Sequence, residues 1–453
     1  MKTIFATVVL STFAINFCLV ELAIAQSESA QNYWAGWRGP IGTGVAPSAD
    51  PPIEWSEEEN VLWKTAIPGV GHSSPIVWGD YVFVTSAVPY GDTLESKPDT
   101  APGAHDNSPV NQKHRFVVAG YLRSDGKELW QTVVNDGLPV EGGHYTGSLA
   151  SNSPVTDGKH VYAFFGSRGL YCLDFDGNIV WQRHFGEMQT KHAHGEGSSP
   201  ALFNDTLIVN WDHEGNSFVV ALDTADGTER WKVSRTEKTS WASPIIITHN
   251  GRQQVIISGT NRIRSYDLET GDVIWQCGGL SDNVVATPVS DGSMVYAGSS
   301  YDTRAMMGIR LDDAKGDITG TDHVVWTIRQ LTPYVPSPLL YGDSLYFLRH
   351  YQGVLTSLQA ETGEQLIGSL RLPRMRDIYA SPVGAADRIY VTDRSGVTIV
   401  ISHNDFPRIL SANRLDDRIS ATAAIAGKQL FLRGEKFLYC LQNEDSETGE
   451  TPQ

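Results

Sequence analysis

Apolar residues fall in short runs along nearly the whole chain, and each run is cut by Gly, Asp or Asn. Ile76-Val77-Trp78 and Tyr81-Val82-Phe83-Val84-Thr85 are separated by Gly79-Asp80, and Asp157-Gly158 and Gly342-Asp343 divide later runs in the same way. These dipeptides tolerate the positive φ that two-residue hairpin turns require. Beyond residue 25 no stretch carries the helical period of about 3.6 residues. The predicted class is all-β.

The runs are grouped into repeats. Ala221-Leu222-Asp223-Thr224-Ala225-Asp226-Gly227 leads to Trp231, with the aromatic residue four positions after the glycine. The same spacing joins Gly126 to Trp130, Gly177 to Trp181 and Gly271 to Trp275. A second marker opens each unit: Ser74-Pro75, Ser153-Pro154, Ser199-Pro200, Ser243-Pro244, Thr287-Pro288, Ser337-Pro338 and Ser381-Pro382, with Thr422-Ala423 as an eighth start that lacks the proline. A self-similar period of about 40 to 50 residues built from short strands is the signature of propeller blades. Eight starts predict an eight-bladed β-propeller. Its last unit, with Leu430-Phe431-Leu432 and Tyr439-Cys440-Leu441, lacks an outer strand, whereas Asn60-Val61-Leu62-Trp63-Lys64 is an outer strand without a unit. The N-terminal strand is therefore expected to complete the C-terminal blade and close the ring, pairing both open edges.

The tryptophans at this outer position, Trp63, Trp130, Trp181, Trp231, Trp275 and Trp326, read as welds between adjacent blades. Each buries about 150 to 250 Å², a gross gain on the order of 4 to 6 kcal/mol. Ile367 and Leu410 stand there in the sixth and seventh units, where the weld should be weakest.

Residues 1–25 carry Lys2, an apolar run from Ile4 to Val20 and Ala23-Ile24-Ala25, the pattern of a secretory signal peptide with a small-x-small cleavage site. The alternative is an uncleaved anchor helix, since the run is near the lower limit of about 17 to 25 residues for a span. Phe17 before Cys18 does not suit a lipoprotein box. The expectation is a periplasmic or secreted protein without stable membrane insertion after cleavage. Its net charge of -17 disfavours nucleic acid. Cys172 and Cys440 share a repeat position in non-neighbouring blades, and Cys277 lies on an outer strand, so buried thiols are expected rather than disulfides. Residues 26–60 form an arm rich in Gly, Pro and Trp, whose aromatics should pin it across the propeller's outside. Residues 61–442 form the propeller and 443–453 a disordered tail.

The Asp, Gly and Trp spacing, the Ser-Pro starts and the front arm resemble the tryptophan-docking repeats of PQQ-type (pyrrolo-quinoline quinone) eight-bladed propellers, over residues 37–442. That superfamily contains quinoprotein alcohol dehydrogenases and BamB-type proteins, which use the repeat without a cofactor. The dehydrogenase branch implies a vicinal Cys-Cys disulfide, a calcium held by Glu, Asn and Asp, and an Asp base. This chain has no Cys-Cys pair, and no calcium ligand or catalytic base carries over. The motif itself describes blade packing.

The candidate site follows from loop length. Long insertions at residues 87–113, 211–217, 299–306 and 349–353 open on one face, and 314–323 on the other. Long loops on a rigid scaffold usually carry function. Counting three residues back from each unit's proline position gives a ring around the central mouth: His72, Ser151, Gly197, Trp241, Val285, Val335, Tyr379 and Ser420. Beside it stand His144, His192, His194, Glu196, Tyr334, Asp377 and Arg418. Trp241, His72 and Tyr379 are candidates for a planar cofactor. His192, His194 and Glu196 alternate, so in extended chain they would share a face and suit a metal; the bland alternative is a solvated polar loop. Three readings remain: a non-catalytic exported propeller binding a protein or peptide on its loop-rich face, with no cofactor; a PQQ- and calcium-dependent oxidoreductase acting on an alcohol or sugar; and a metal-dependent enzyme.

Overall fold

The structure is a computed structural model that describes residues 31–444. The signal-peptide expectation and most of the tail lie outside these residues. Eight antiparallel sheets are strung in chain order, so the chain forms an eight-bladed β-propeller. Helical structure among the described residues is limited to two three-residue 3-10 turns, Gly166–Arg168 and Lys191–Ala193. Among the described residues no helix is long and apolar enough to cross a membrane.

Blade 1 shows the common plan: inner strand Ile76–Trp78, then Tyr81–Tyr90, Lys113–Leu122 and outer strand Glu128–Gly137. Blade 8 takes its inner strands from Ala424–Ala426, Gln429–Arg433 and Phe437–Leu441, and its outer strand is Val61–Ala66, antiparallel to Phe437–Leu441. Both ends of the propeller sequence therefore meet in one sheet, and Phe437–Leu441 is paired on both sides.

The Asp-Gly and Trp positions of the repeat pair across blades rather than within one. Trp181 of blade 2 donates its Nε1–H to Thr224 O of blade 3 at 2.8 Å, and a Cβ on Gly227 would lie 2.6 Å from the same indole. Gly227 also has φ +69°, so positive φ and ring packing both demand glycine. Trp63, Trp130, Trp231 and Trp326 donate in the same way to Arg123, Phe175, Leu268 and Ala360 of the following blades. Trp275 departs from this. Its Nε1 reaches Gln254 of its own blade at 3.3 Å, because the 314–323 insertion replaces the glycine turn of blade 5. That insertion instead lays Gly316–Asp317 as a short parallel strand beside Val273–Cys277. In blade 7 the docking position is one residue later than expected: Ser411, with no ring to offer, stands opposite Val400 as Trp231 stands opposite Ala221, and Leu410 falls in the bulge and is 42% exposed. The Ile367 side chain lies outside the described residues.

The Ser/Thr-Pro starts have a further role. The backbone N–H of Ser74 donates to Ser153 Oγ in the next blade, Ser153 to Ser199, Ser199 to Ser243, Ser243 to Thr287, Thr287 to Ser337, Ser337 to Ser381 and Ser381 to Thr422, all at 2.8 to 3.0 Å. Ser74 Oγ donates to Thr422 O at 2.8 Å and completes the circle. Proline after every hydroxyl but Thr422 leaves no idle N–H on an inner strand whose far side is the channel.

The arm corrects an expectation. Residues 34–46 do not lie on the outside; they cross the central channel. Trp34 pairs with Val77 of blade 1 in both directions, Ala35 O accepts from Thr156 of blade 2, Thr43 O from Leu340 of blade 6, and Val45 bridges Gly384 of blade 7. These partners sit at the tight-turn ends of the inner strands, so the channel is sealed there. The arm then emerges: Asp50 N donates to Gly427 O, and Trp55 is buried beside Tyr390 with its N–H on Asn413 Oδ1 at 3.0 Å. Trp55 thus fills the junction of blades 7 and 8 that Ser411 leaves without a ring. Cys172, Cys277 and Cys440 are free and buried.

Candidate functional site

With its far end sealed, the channel is a cup of about 380 Å³ that opens on the face of the long loops. All eight ring positions line it: His72, Ser151, Gly197, Trp241, Val285, Val335, Tyr379 and Ser420. Each leads into an inner strand, and the hydroxyl circle just below fixes the register that points it inward. Trp37 of the arm also lines the cup. Beneath the arm's aromatic, the buried Arg38 guanidinium donates to Pro338 O at 2.6 Å, Pro382 O at 3.2 Å and Thr43 O at 3.3 Å, clamping the arm to blades 6 and 7. Burial without a carboxylate lowers its pKa to about 9.

The rim is aromatic. Tyr301 stacks on Tyr334, and Tyr351 on Tyr379, with centroids 6.1 and 5.9 Å apart. Tyr301 and Tyr351 come from the 299–306 and 349–353 insertions and remain accessible at 48% and 37%. Trp241 donates Nε1–H to Gly195 O at 2.7 Å, which fixes the indole at the wall. Burial raises the Tyr334 hydroxyl to about 12, so it is a neutral donor to partners.

Four imidazoles from three loops meet on one side of the mouth. His105 lies 4.9 Å from both His192 and His194, and His144 lies 4.9 Å from His194, mostly edge-to-face. His105 belongs to the long blade 1 loop, which is folded over the loop before blade 3: His194 Nε2 meets His105 O at 3.2 Å, His192 Nδ1 meets Pro102 O at 3.2 Å, and Asn107 donates to His192 O at 2.8 Å. Burial, then the neighbouring His144, pushes His194 down to about 4. The cluster is therefore neutral at His194 near neutrality.

The expected metal trio does not form as drawn. Lys191–Ala193 is a 3-10 turn with His192 at φ +59°, so the strand alternation that would put His192, His194 and Glu196 on one face is absent. Glu196 turns instead to blade 2, where Ser167 N–H donates to Oε2 at 2.6 Å and Ser167 Oγ to Oε1. Burial raises this carboxyl to about 7 despite those bonds. Among the described residues no group of three or more His, Cys, Asp or Glu side chains is placed to hold a metal ion. Asp377 and Arg418 are exposed and do not line the cup. Of the planar-cofactor candidates, Trp241, His72 and Tyr379 all line it. His105, Tyr301 and Tyr351 were missed individually, although each sits in an insertion that loop length singles out.

His72 is half-buried at the wall of the cup, and its Nε2, itself buried, has no partner among the described residues. Burial, and then the Arg433 and Arg394 guanidiniums, lower its pKa to about 3.

Comparison with known proteins separates fold from activity. The family model of the outer membrane protein assembly factor BamB matches residues 114–366 and, in a second overlapping match, 215–449. The chain belongs to this BamB family. Among solved structures it is similar to BamB from Moraxella catarrhalis, at 18% identity and TM-score 0.52, covering 79% of this chain and 99% of that one. It is also similar to the quinohemoprotein alcohol dehydrogenase ADHIIG from Pseudomonas putida HK5, at 9% identity and TM-score 0.56, covering 95% and 83%. The computationally designed Ika8 protein reaches the same TM-score, 0.56, at 8% identity, covering 84% and 99%. Equal likeness to an enzyme and to a designed protein, at 9% and 8% identity, shows that these scores report the fold alone. No curated protein sequence matches the chain.

Proposed function

We propose that this BamB-family chain is an exported, non-catalytic binding propeller that receives a segment of a protein or peptide in the cup of its loop-rich face. The observation that carries the reading is the cup itself: sealed by the arm at one end, and ringed at the other by Trp241, Tyr301, Tyr334, Tyr351 and Tyr379. Tyr and Trp dominate binding hot spots because they present large rigid surfaces with a polar tip. Export rests on the signal-peptide pattern of residues 1–25. The family name refers to outer-membrane protein assembly, and a segment of a partner protein is the kind of ligand such a role involves.

PQQ fits this cup poorly. Trp241 offers one stacking platform, but Glu196 is the single carboxylate in the lining, and Ser167 already occupies both its oxygens. The residues present do not make the Glu, Asn and Asp set that calcium would require, so no redox step is derived. The alternative of a PQQ-dependent oxidoreductase acting on an alcohol or sugar is decided by the same experiment. Purified protein is titrated with PQQ and calcium while quinone absorbance is followed, and separately is immobilised and exposed to a randomised peptide pool. The proposal expects peptides retained by wild type and lost on Trp241→Ala, with no bound quinone. Stoichiometric quinone binding without peptide retention would overturn it.

A further inference from the structure

The eight ring positions divide by chemistry when taken in blade order. Ser420, His72 and Ser151, before blades 8, 1 and 2, are polar; Trp241, Val285 and Val335, before blades 4, 5 and 6, are apolar. The cup therefore has a polar side facing an apolar one.

The polar side carries unused hydrogen-bonding capacity. His72 Nε2 and Ser420 Oγ are buried without partners among the described residues, and they occupy adjacent ring positions. A buried polar atom left unpaired is costly, so two side by side in a cavity wall point to a missing partner. A neutral imidazole and a hydroxyl can each donate one hydrogen.

Behind them stand cations without counter-ions. Arg433 is buried, with hydroxyl partners only: Nη2 donates to Ser86 Oγ at 2.9 Å, Nη1 donates to Ser73 Oγ, and Nε is unpaired. Arg394 lies over the Tyr379 ring, 5.3 Å from its centroid, and its buried Nε is also unpaired. Neither forms an ion pair among the described residues, and both act electrostatically on His72. Asp377, whose carbonyl accepts from Arg394 N, is itself exposed. Glu196, the carboxylate in the lining, belongs to the sector before blade 3 and is held by Ser167. The buried carboxylates closest in sequence, Asp393 and Asp417, accept from backbone N–H groups and pair with neither guanidinium. One buried and one half-buried guanidinium, neither in an ion pair among the described residues, beside two idle donors are the surroundings of an oxyanion.

We propose that the His72 and Ser420 side of the cup is a carboxylate subsite that takes the free C-terminus of a peptide, whose terminal apolar or aromatic side chain lies against Trp241, Val285 and Val335. His72 Nε2–H and Ser420 Oγ–H donate to the carboxylate, and Arg433 and Arg394 supply the field. The arm across residues 34–46 explains why a chain end is suited: a sealed cup cannot be threaded. This rests on the reading of the cup as a peptide site. A free aromatic carboxylate shares the chemistry, so the test distinguishes the two sources.

The full propeller, immobilised, is exposed to a C-terminally randomised peptide pool made in two forms, free acid and amide. Binding of 3-phenylpropionate is followed separately by tryptophan fluorescence. The expected result is at least about tenfold greater retention of the acid pool, the scale of a hydrogen-bonded charge. His72→Phe should bring the acid-to-amide ratio close to one with an unchanged melting temperature. Ser420→Ala, a smaller change, should lower the ratio in the same direction if His72→Phe misfolds. Trp241→Ala should weaken both pools equally. Equal retention of acid and amide by wild type would overturn the carboxylate subsite while leaving the peptide reading in place. Binding of 3-phenylpropionate, lost in His72→Phe, with neither pool retained would overturn the chain terminus as source and the peptide reading with it. No binding of any probe would overturn both.

Discussion

Two rings of eight residues run around the channel, two positions apart in every repeat, and they differ in what repetition has done to them. The lower ring is Ser74, Ser153, Ser199, Ser243, Thr287, Ser337, Ser381 and Thr422, a hydroxyl in every unit. Each hydroxyl from Ser153 to Thr422 accepts an N–H from the preceding blade, so a change at one position breaks a circle. The upper ring, His72 to Ser420, shares the same backbone setting and has no common chemistry: imidazole, hydroxyl, glycine, indole, aliphatic and phenol. Blade packing demands the first ring and is indifferent to the second. Within a repeat protein, uniform positions mark the scaffold and divergent ones mark the site.

That contrast can be broken from the scaffold side, with binding to the cup retained by whatever remains folded. Deleting residues 61–65 removes most of the strand Val61–Ala66 and the Trp63 indole that docks on Arg123 O, and should cost several kcal/mol of the about 5 to 15 that typical domains possess. Calorimetry checks it, and an unchanged melting temperature would refute ring closure. Trp231→Ala takes away one inter-blade dock and should cost about 3 to 5 kcal/mol in denaturant unfolding. Ser199→Ala leaves the buried Ser153 N–H without its acceptor and should cost about 1 to 3 kcal/mol.

Titration sharpens the contrast, because two cup residues move in opposite directions. Glu196 has its pKa raised from 4.5 to about 7, so its contribution to stability is complete below 4.5 and is lost as pH rises through 7. His72 is lowered from 6.5 to about 3, so its contribution is complete above 6.5 and is lost as pH falls toward 3. Melting temperature against pH should therefore flatten between 4.5 and 7 in Glu196→Gln, and acid sensitivity below 6.5 should lessen in His72→Phe. The smallest effect is that of a reductant: with Cys172, Cys277 and Cys440 free, the melting temperature should not move.

The parts of the molecule that repeat were readable in the sequence. A Ser or Thr start marks every blade, followed by proline in all but the eighth, because the hydroxyl circle imposes the same residue type each time. Counting back from those starts also finds the upper ring. The parts that do not repeat were not readable. The arm has no period, and its partners Val77, Gly384 and Leu340 are distant in sequence, so nothing local shows that it enters the channel. The alternation at His192, His194 and Glu196 suits a strand equally well, and only the turn at Lys191–Ala193 sends Glu196 to Ser167. His105 reaches His192 and His194 through the closure of a long loop, which composition leaves undetermined.

We place function in the cup on the loop-rich face. The most direct measurement compares binding of one randomised peptide pool by three variants of equal thermal stability: Trp241→Ala, the double change His192→Ala with His194→Ala, and the double change Lys315→Ala with Asp317→Ala in the opposite-face insertion. The account predicts that the first two lose retention by about tenfold or more, as truncated hot-spot residues do, and that the third binds like wild type. Full retention in both cup variants, with loss on changing Lys315 and Asp317, would contradict it.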